Sequence, residues 1–227
     1  DAHTLYASSL QNWAPPARAV APLMSSLSDT LVSERGEILD NGIRLEAVGQ
    51  LDQLPPMVRK VLDALRAASA DNDRMVLTLA LSYGGQEEVA QAARELAREV
   101  AAGRIAPEDI DVDAVRSRIP SLSVGEPDLI IRTGGEQRLS NFLRFGSAYS
   151  ELVFSDRLWP DFDEEDLFQA IQTYQRRQRR FLEIGGGEGR ERAEKRESAL
   201  AATKKPRSGA FLWAPHPGSL SGPSAAD

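Results

Sequence analysis

Cysteine is absent from the 227 residues, and histidine occurs only as His3 and His216, one near each end. Without cysteine there is no disulfide and no thiolate for a metal or a substrate. Two histidines so placed argue against a zinc centre or a histidine-based catalytic triad. No run approaches the ~20 apolar residues of a membrane span. The opening Asp1-Ala-His-Thr4 has no basic stretch followed by an apolar one, so we read no signal peptide. Basic charge is in deficit: 27 Lys and Arg face 34 Asp and Glu, for a net charge of -7 and a pI of about 5.1. That balance argues against a nucleic-acid binder held by phosphate contacts, while leaving room for a local basic pocket. The lack of cysteine fits a reducing compartment, and a cytoplasmic location is expected.

With 41% hydrophobic residues the chain can bury one sizeable core. Thr4 to Ala7 reads as the end of a strand, and Asn12-Trp13 with Pro15-Pro16 as a turn. Val20, Leu23, Met24, Leu27 and Leu31 form a helical stripe within 17–38, and Pro22 fits only its first turn. Asn41-Gly42 ends that helix. Ile43, Leu45 and Ala47 alternate with polar residues as a half-buried strand. Pro55-Pro56 opens a second helix bearing Val58, Leu62 and Leu65. Met75 to Leu81 is almost wholly apolar, as in a strand covered on both faces. A helix over 87–102, a short one over 111–119, strands at 128–131 and 151–154, and a helix capped by Asp163 complete the pattern. Strands separated by helices predict an α/β fold with a mostly parallel central sheet. Beyond Gly185-Gly-Gly187 the composition turns charged, then rich in Ser, Pro, Ala and Gly. This divides the chain into a domain over 1–184 and a tail over 185–227, expected to be disordered and dispensable for folding.

The densest chemistry lies in Arg132-Thr-Gly-Gly-Glu-Gln-Arg-Leu-Ser-Asn-Phe142, which follows the apolar strand Asp128–Ile131. Each guanidinium is a planar fork suited to phosphate oxygens. Arg132 and Arg138 are six positions apart, a spacing for a loop curling around an anion. Gly134 and Gly135 could present backbone N–H groups as a nest, and Ser140 could add a neutral donor. Ligands in open parallel sheets sit beyond the carboxyl ends of strands, where this loop falls. Taken singly, Arg132 could instead pair with a carboxylate and Arg138 could be solvated.

The stretch Asp128–Phe142 resembles the diphosphate-binding signature of the cis-prenyltransferases, the undecaprenyl diphosphate synthase family. Ala148-Tyr-Ser-Glu151-Leu, Leu158-Trp-Pro-Asp-Phe162 and Arg179-Arg-Phe181 continue it, and Thr4–Trp13 and Ser82-Tyr-Gly-Gly85 resemble two upstream blocks. The resemblance implies condensation of isopentenyl diphosphate with an allylic diphosphate to give a cis-polyprenyl diphosphate. It implies that Arg132, Arg138, Leu139 and Ser140 hold isopentenyl diphosphate and that Glu151 helps hold Mg2+. It gives Asn12 a part in proton removal, with Ser9 and Trp13 touching substrate. A neutral amide is a poor base, so Asn12 is read as an orienting group. Leu23, Leu27 and Leu31, with Val76 to Leu81, could line a tunnel for the growing chain or be ordinary core. A homodimer is implied, with at most peripheral membrane contact through the lipid product.

The family's Asp-Gly-Asn-Gly-Arg-Trp segment, which carries the magnesium aspartate and the allylic diphosphate cradle, does not occur in this sequence. The reading is therefore of an N-terminally truncated domain whose first strand is missing, with unpaired backbone and exposed apolar surface expected in its place. An alternative is a catalytically incompetent accessory subunit, or an inactive fragment, that keeps only the isopentenyl diphosphate half-site. The basic tail residues Lys204, Lys205 and Arg207, before Phe211-Leu-Trp213, are read as solvated rather than membrane-bound.

Overall fold

Every strand pairing in the sheet is parallel, and in spatial order the strands are Ile43–Val48 (β2), Met75–Ala80 (β3), Ala2–Tyr6 (β1), Ser208–Leu212 (β6), Leu129–Arg132 (β4) and Glu151–Phe154 (β5). The structure is a computed structural model that describes residues 2–10, 20–177 and the backbone of 208–212. The helices are α1 (Val20–Ser33), α2 (Arg35–Asp40), α3 (Pro56–Ala68), α4 (Gly85–Ala101), α5 (Val112–Arg116) and α6 (Glu164–Arg176).

Local sequence explains most boundaries. Pro22 lies in the first turn of α1, where its missing N–H costs no helical bond. Gly42, at φ +66°, reverses the chain after α2. Pro56 occupies the first position of α3. Asp111 and Asp163 accept backbone N–H groups at the starts of α5 and α6. The single helix expected over 17–38 is broken at Glu34 into α1 and α2.

Side-chain alternation along the strands sorts the core onto two faces. On one face Leu45, Leu79 and Leu81 pack with Met24 and Leu31 of α1 and with Val58, Leu62 and Leu65 of α3. Leu129 and Ile131 pack with Ala170 and Tyr174 of α6. Leu5 joins both groups, so α1, α3 and α6 share that face. On the other face Tyr6, Ala80 and Ile130 meet Tyr83, Phe142 and Leu143. All four residues of β4 are buried, as a strand covered on both sides requires.

The tail departs from expectation. Ser208–Leu212 forms β6 between β1 and β4, so these five residues are not disordered. Gly209 faces His3 on one side and Leu129 on the other, and Phe211 faces Leu5 and Ile131. The physical reason is the demand of two strand edges. The backbone donors and acceptors of β1 and β4 need partners, and a segment of modest hydrophobicity meets that demand through its main chain. Composition reports side-chain burial and is blind to it. The open sheet edge expected from a missing strand is, between β1 and β4, filled. The remainder of 178–227, including Phe181 and His216, lies outside the described residues.

Candidate functional site

The carboxyl ends of β1, β3 and β4 converge on one edge of the sheet, and the arginine loop springs from it. Arg132 ends β4 with its side chain only 2% exposed. One terminal nitrogen, Nη1, donates to Ser140 Oγ at 2.7 Å and to the carbonyl of Arg138. Its Nη2 meets the Glu136 carboxylate, and Nε is buried with no hydrogen-bond partner among the described residues. Arg138, 65% exposed, donates from Nη2 to the other Glu136 oxygen at 2.6 Å. Both guanidinium groups therefore address one point, occupied by a carboxylate. Burial, and then the nearby positive charge of Arg138, push the Arg132 pKa below its ordinary value.

The loop's shape is fixed from outside. Ser140, Asn141 and Leu143 all have positive φ, which non-glycine residues adopt only under constraint. Asn141 supplies much of that constraint. Its carbonyl accepts from Gly85 N at 2.7 Å, and its Oδ1 accepts from Gln86 N at 2.9 Å, so it caps the start of α4. Its Nδ2 donates to Glu87 Oε2 at 2.9 Å. A Cβ on Gly85 would stand 3.0 Å from Asn141 O, a tight contact that glycine avoids. Phe142 is fully buried and stacks on Tyr6, with ring centroids 4.8 Å apart, while Tyr83 stands edge-on to both. Tyr6 Oη donates to the Tyr83 carbonyl at 3.1 Å, and burial pushes its pKa up to about 12. Tyr83 Oη donates to Glu88 Oε2 at 2.6 Å, and Glu88 also accepts from Ser121 N and Oγ. Aromatic rings thus tie the ends of β1 and β3 to the loop.

The glycines act differently from expectation. Gly134 N and Gly135 N donate to the carbonyls of Arg157 and Ser155, at 2.7 and 2.9 Å. Those donors are spent on holding the loop against the segment after β5, so they form no anion nest. Both glycines have positive φ, which explains the residue type without a ligand.

A cavity of about 460 Å³ opens beside the loop, lined by Arg138, Leu139, Ser140, Asn141 and Arg144. Arg144 was not among the residues singled out from sequence; its place six residues beyond Arg138 was the available signal. A second cavity, of about 340 Å³ and mostly apolar, opens between β1, β3 and α1. Leu5, Leu23, Leu27, Leu31, Leu79 and Leu81 contribute to its wall. Val76 does not, nor do Thr78 and Ala80. The even-numbered positions of β3 face the opposite side of the sheet.

Ser9 bridges to Tyr83 at the end of β1, and the adjacent Ser8 Oγ accepts from Ser82 N at 2.9 Å. Asn12 and Trp13 lie outside the described residues. Glu151 is placed apart from Arg132 and Arg138 of its own chain. It begins β5 level with Leu129, whereas Arg132 is level with Phe154, three residues or roughly 10 Å along the strands. Its carboxylate accepts from Arg177 Nη1 at 2.9 Å. Among the described residues no group of three or more His, Asp or Glu could hold a metal ion. One chain as described therefore does not fit a magnesium ion at the arginine loop.

Comparison with known proteins agrees with this geometry. The family model described as "Putative undecaprenyl diphosphate synthase" matches residues 1–182. An isoprenyl transferase of Chlorobaculum tepidum is 42% identical over 178 residues, 78% of this chain and 67% of that protein. A ditrans,polycis-undecaprenyl-diphosphate synthase of Pseudomonas putida, (2E,6E)-farnesyl-diphosphate specific, is also 42% identical, over 78% of this chain and 71% of its own length. The crystal structure of lavandulyl diphosphate synthase from Lavandula x intermedia, in complex with dimethylallyl diphosphate, superposes with a TM-score of 0.77 at 34% identity. That match covers 79% of this chain and 78% of the other. The model match over most of the chain, the two relatives and the shared fold make this protein a member of the undecaprenyl diphosphate synthase family of cis-prenyltransferases.

Proposed function

We propose that the chain serves cis-prenyl chain elongation, with the Arg132–Ser140 loop seating the diphosphate of isopentenyl diphosphate. The single observation that carries this is the convergence of Arg132 and Arg138 on one carboxylate. Two guanidinium groups that share an oxyanion also match the oxygens of a phosphate. Arg144, Ser140 and Asn141 line the adjoining cavity and supply further donors. The clamp orients the five-carbon unit, and the positive field next to it favours loss of pyrophosphate from an allylic partner. The apolar cavity beside β1 and α1 is the receiving space for the growing chain. Ser8, Ser26, Thr30 and Glu34 are the polar exceptions among its apolar walls.

The edge of the sheet supports a homodimer. Among the described residues β5 is an edge strand with one side unpaired. Phe154, on that strand, and Phe168 of α6 are 39% and 53% exposed, and Tyr149 just before β5 is 70% exposed. Two copies related by a twofold axis would run their β5 edges antiparallel. Glu151 of one protomer would then approach the arginine end of the other, which accounts for its distance from Arg132 within a chain. A divalent cation such as Mg2+, held by a carboxylate there, would offset diphosphate charge. On this reading, Glu151→Ala and Arg132→Ala variants regain part of their lost activity when refolded together; no recovery in the mixture would contradict a shared site.

The condensation itself is tested by incubating the protein with labelled isopentenyl diphosphate, farnesyl diphosphate and Mg2+. Elongated polyprenyl diphosphate is expected, and lost in Arg132→Ala. Product of equal yield from Arg132→Ala would overturn the seating assigned to the loop.

A further inference from the structure

Glu136 stands where the ligand should stand. One of its oxygens meets Arg132 Nη2 and the other meets Arg138 Nη2. The remaining terminal nitrogen of Arg132 is committed to Ser140 and to the Arg138 carbonyl, inside the loop's own framework. Its Nε is buried and has no hydrogen-bond partner among the described residues. With Arg132 only 2% exposed, an incoming anion can reach it by only one exchange, replacement of the Glu136 carboxylate. Glu136 is suited to leave. Its side chain is 42% exposed, and among the described residues the polar contacts of its carboxylate are those with the two arginines. The glycines before it are anchored through their backbone to Ser155 and Arg157, so the loop can stay in place while the side chain turns to solvent.

We propose that Glu136 is an internal placeholder for the diphosphate. It neutralises the buried Arg132 when the site is empty and must be displaced for an anion to bind. The inference rests on the diphosphate reading of the clamp. Its consequence is selectivity. A weakly charged anion, such as a carboxylate or singly ionised phosphate, offers Arg132 and Arg138 no more than Glu136 already does and pays the cost of displacing it. A diphosphate carries more charge and more oxygens, and it gains additional contacts from Ser140, Asn141 and Arg144, so it wins the exchange. The residue therefore raises the threshold for occupancy while keeping a buried cation paired.

The test uses inorganic pyrophosphate and orthophosphate as probes, titrated calorimetrically into the wild-type protein and Glu136→Gln. The variant should bind pyrophosphate roughly tenfold more tightly, the ratio that follows from about 1.4 kcal/mol of relinquished competition. Orthophosphate affinity should rise by a larger factor, so discrimination between the two falls. Without ligand, Glu136→Gln should melt lower, because Arg132 keeps its charge without a countercharge, and pyrophosphate should raise its Tm by more than it raises the wild type's. Equal or weaker pyrophosphate binding by a folded Glu136→Gln variant would overturn the placeholder and make Glu136 a support for the ligand. The two readings fail separately. If the wild type binds pyrophosphate and Arg132→Ala binds it equally well, the clamp is wrong; if Arg132→Ala loses binding and Glu136→Gln gains none, only the placeholder is wrong.

Discussion

Deleting residues 208–227 is expected to abolish cooperative folding or to lower Tm by more than about 10 °C. The tail strand pairs with β1 and β4 at once, over four registered positions on each side. Among the described residues it is the only ladder joining β2-β3-β1 to β4-β5. Its loss removes roughly eight backbone hydrogen bonds at about 1 kcal/mol each, against a total stability of about 5–15 kcal/mol. Strands neighbouring a common partner lie about 9–10 Å apart, too far for β1 and β4 to pair directly without moving the sheet. Such movement would strain the Tyr6–Phe142 stack that holds the arginine loop. Two further measurements separate strand loss from tail loss. Ala210→Pro keeps the whole tail but removes a ladder donor, and should destabilise nearly as much as the deletion. A synthetic peptide of residues 205–215, added to the truncated protein, should recover part of the lost Tm. A truncated protein that melts with the wild type would show that β6 contributes nothing to the fold.

Arg132→Ala carries the second large effect. The guanidinium joins the Arg138 carbonyl, Ser140 and Glu136, so its removal unties both ends of the loop as well as the anion seat. Isopentenyl diphosphate binding should fall by about 100-fold or more, the scale for truncating one partner of a buried charge pair. Arg132→Lys should rescue little, since a point charge cannot serve both Ser140 and an anion in the fork geometry. Arg138→Ala is a contrasting control. Its exposed side chain makes fewer fixed contacts, so binding should drop by about tenfold with Tm almost unchanged. In steady-state kinetics, Arg132→Ala should raise KM for isopentenyl diphosphate far more than KM for the allylic substrate. Equal increases would contradict the assignment of this loop to one substrate.

Most of the architecture was legible in the sequence because it rests on local signals. Leucine spacing in α3, the apolar run of β3 and the capping aspartates Asp111 and Asp163 each name an element without reference to the rest of the chain. The strand at 208–212 was not legible, because its partners are nearly 80 residues or more away and its contribution is main-chain pairing. Arg132, Arg138 and Ser140 were legible as a constellation, since phosphate chemistry needs those residue types close together. Glu136 was present in the same motif, but only geometry shows its carboxylate between the two arginines. The roles of Gly134 and Gly135 were misread for a related reason: residue type reveals a positive φ, not which carbonyl takes the N–H.

The arginine clamp is tested most directly by a crystal structure of the protein with isopentenyl diphosphate. The diphosphate should lie between Arg132 and Arg138 with oxygens on both Nη2 atoms, Ser140 beside it, and the Glu136 carboxylate turned out to solvent. Well-ordered ligand elsewhere, with Glu136 still joining the two arginines, would contradict it.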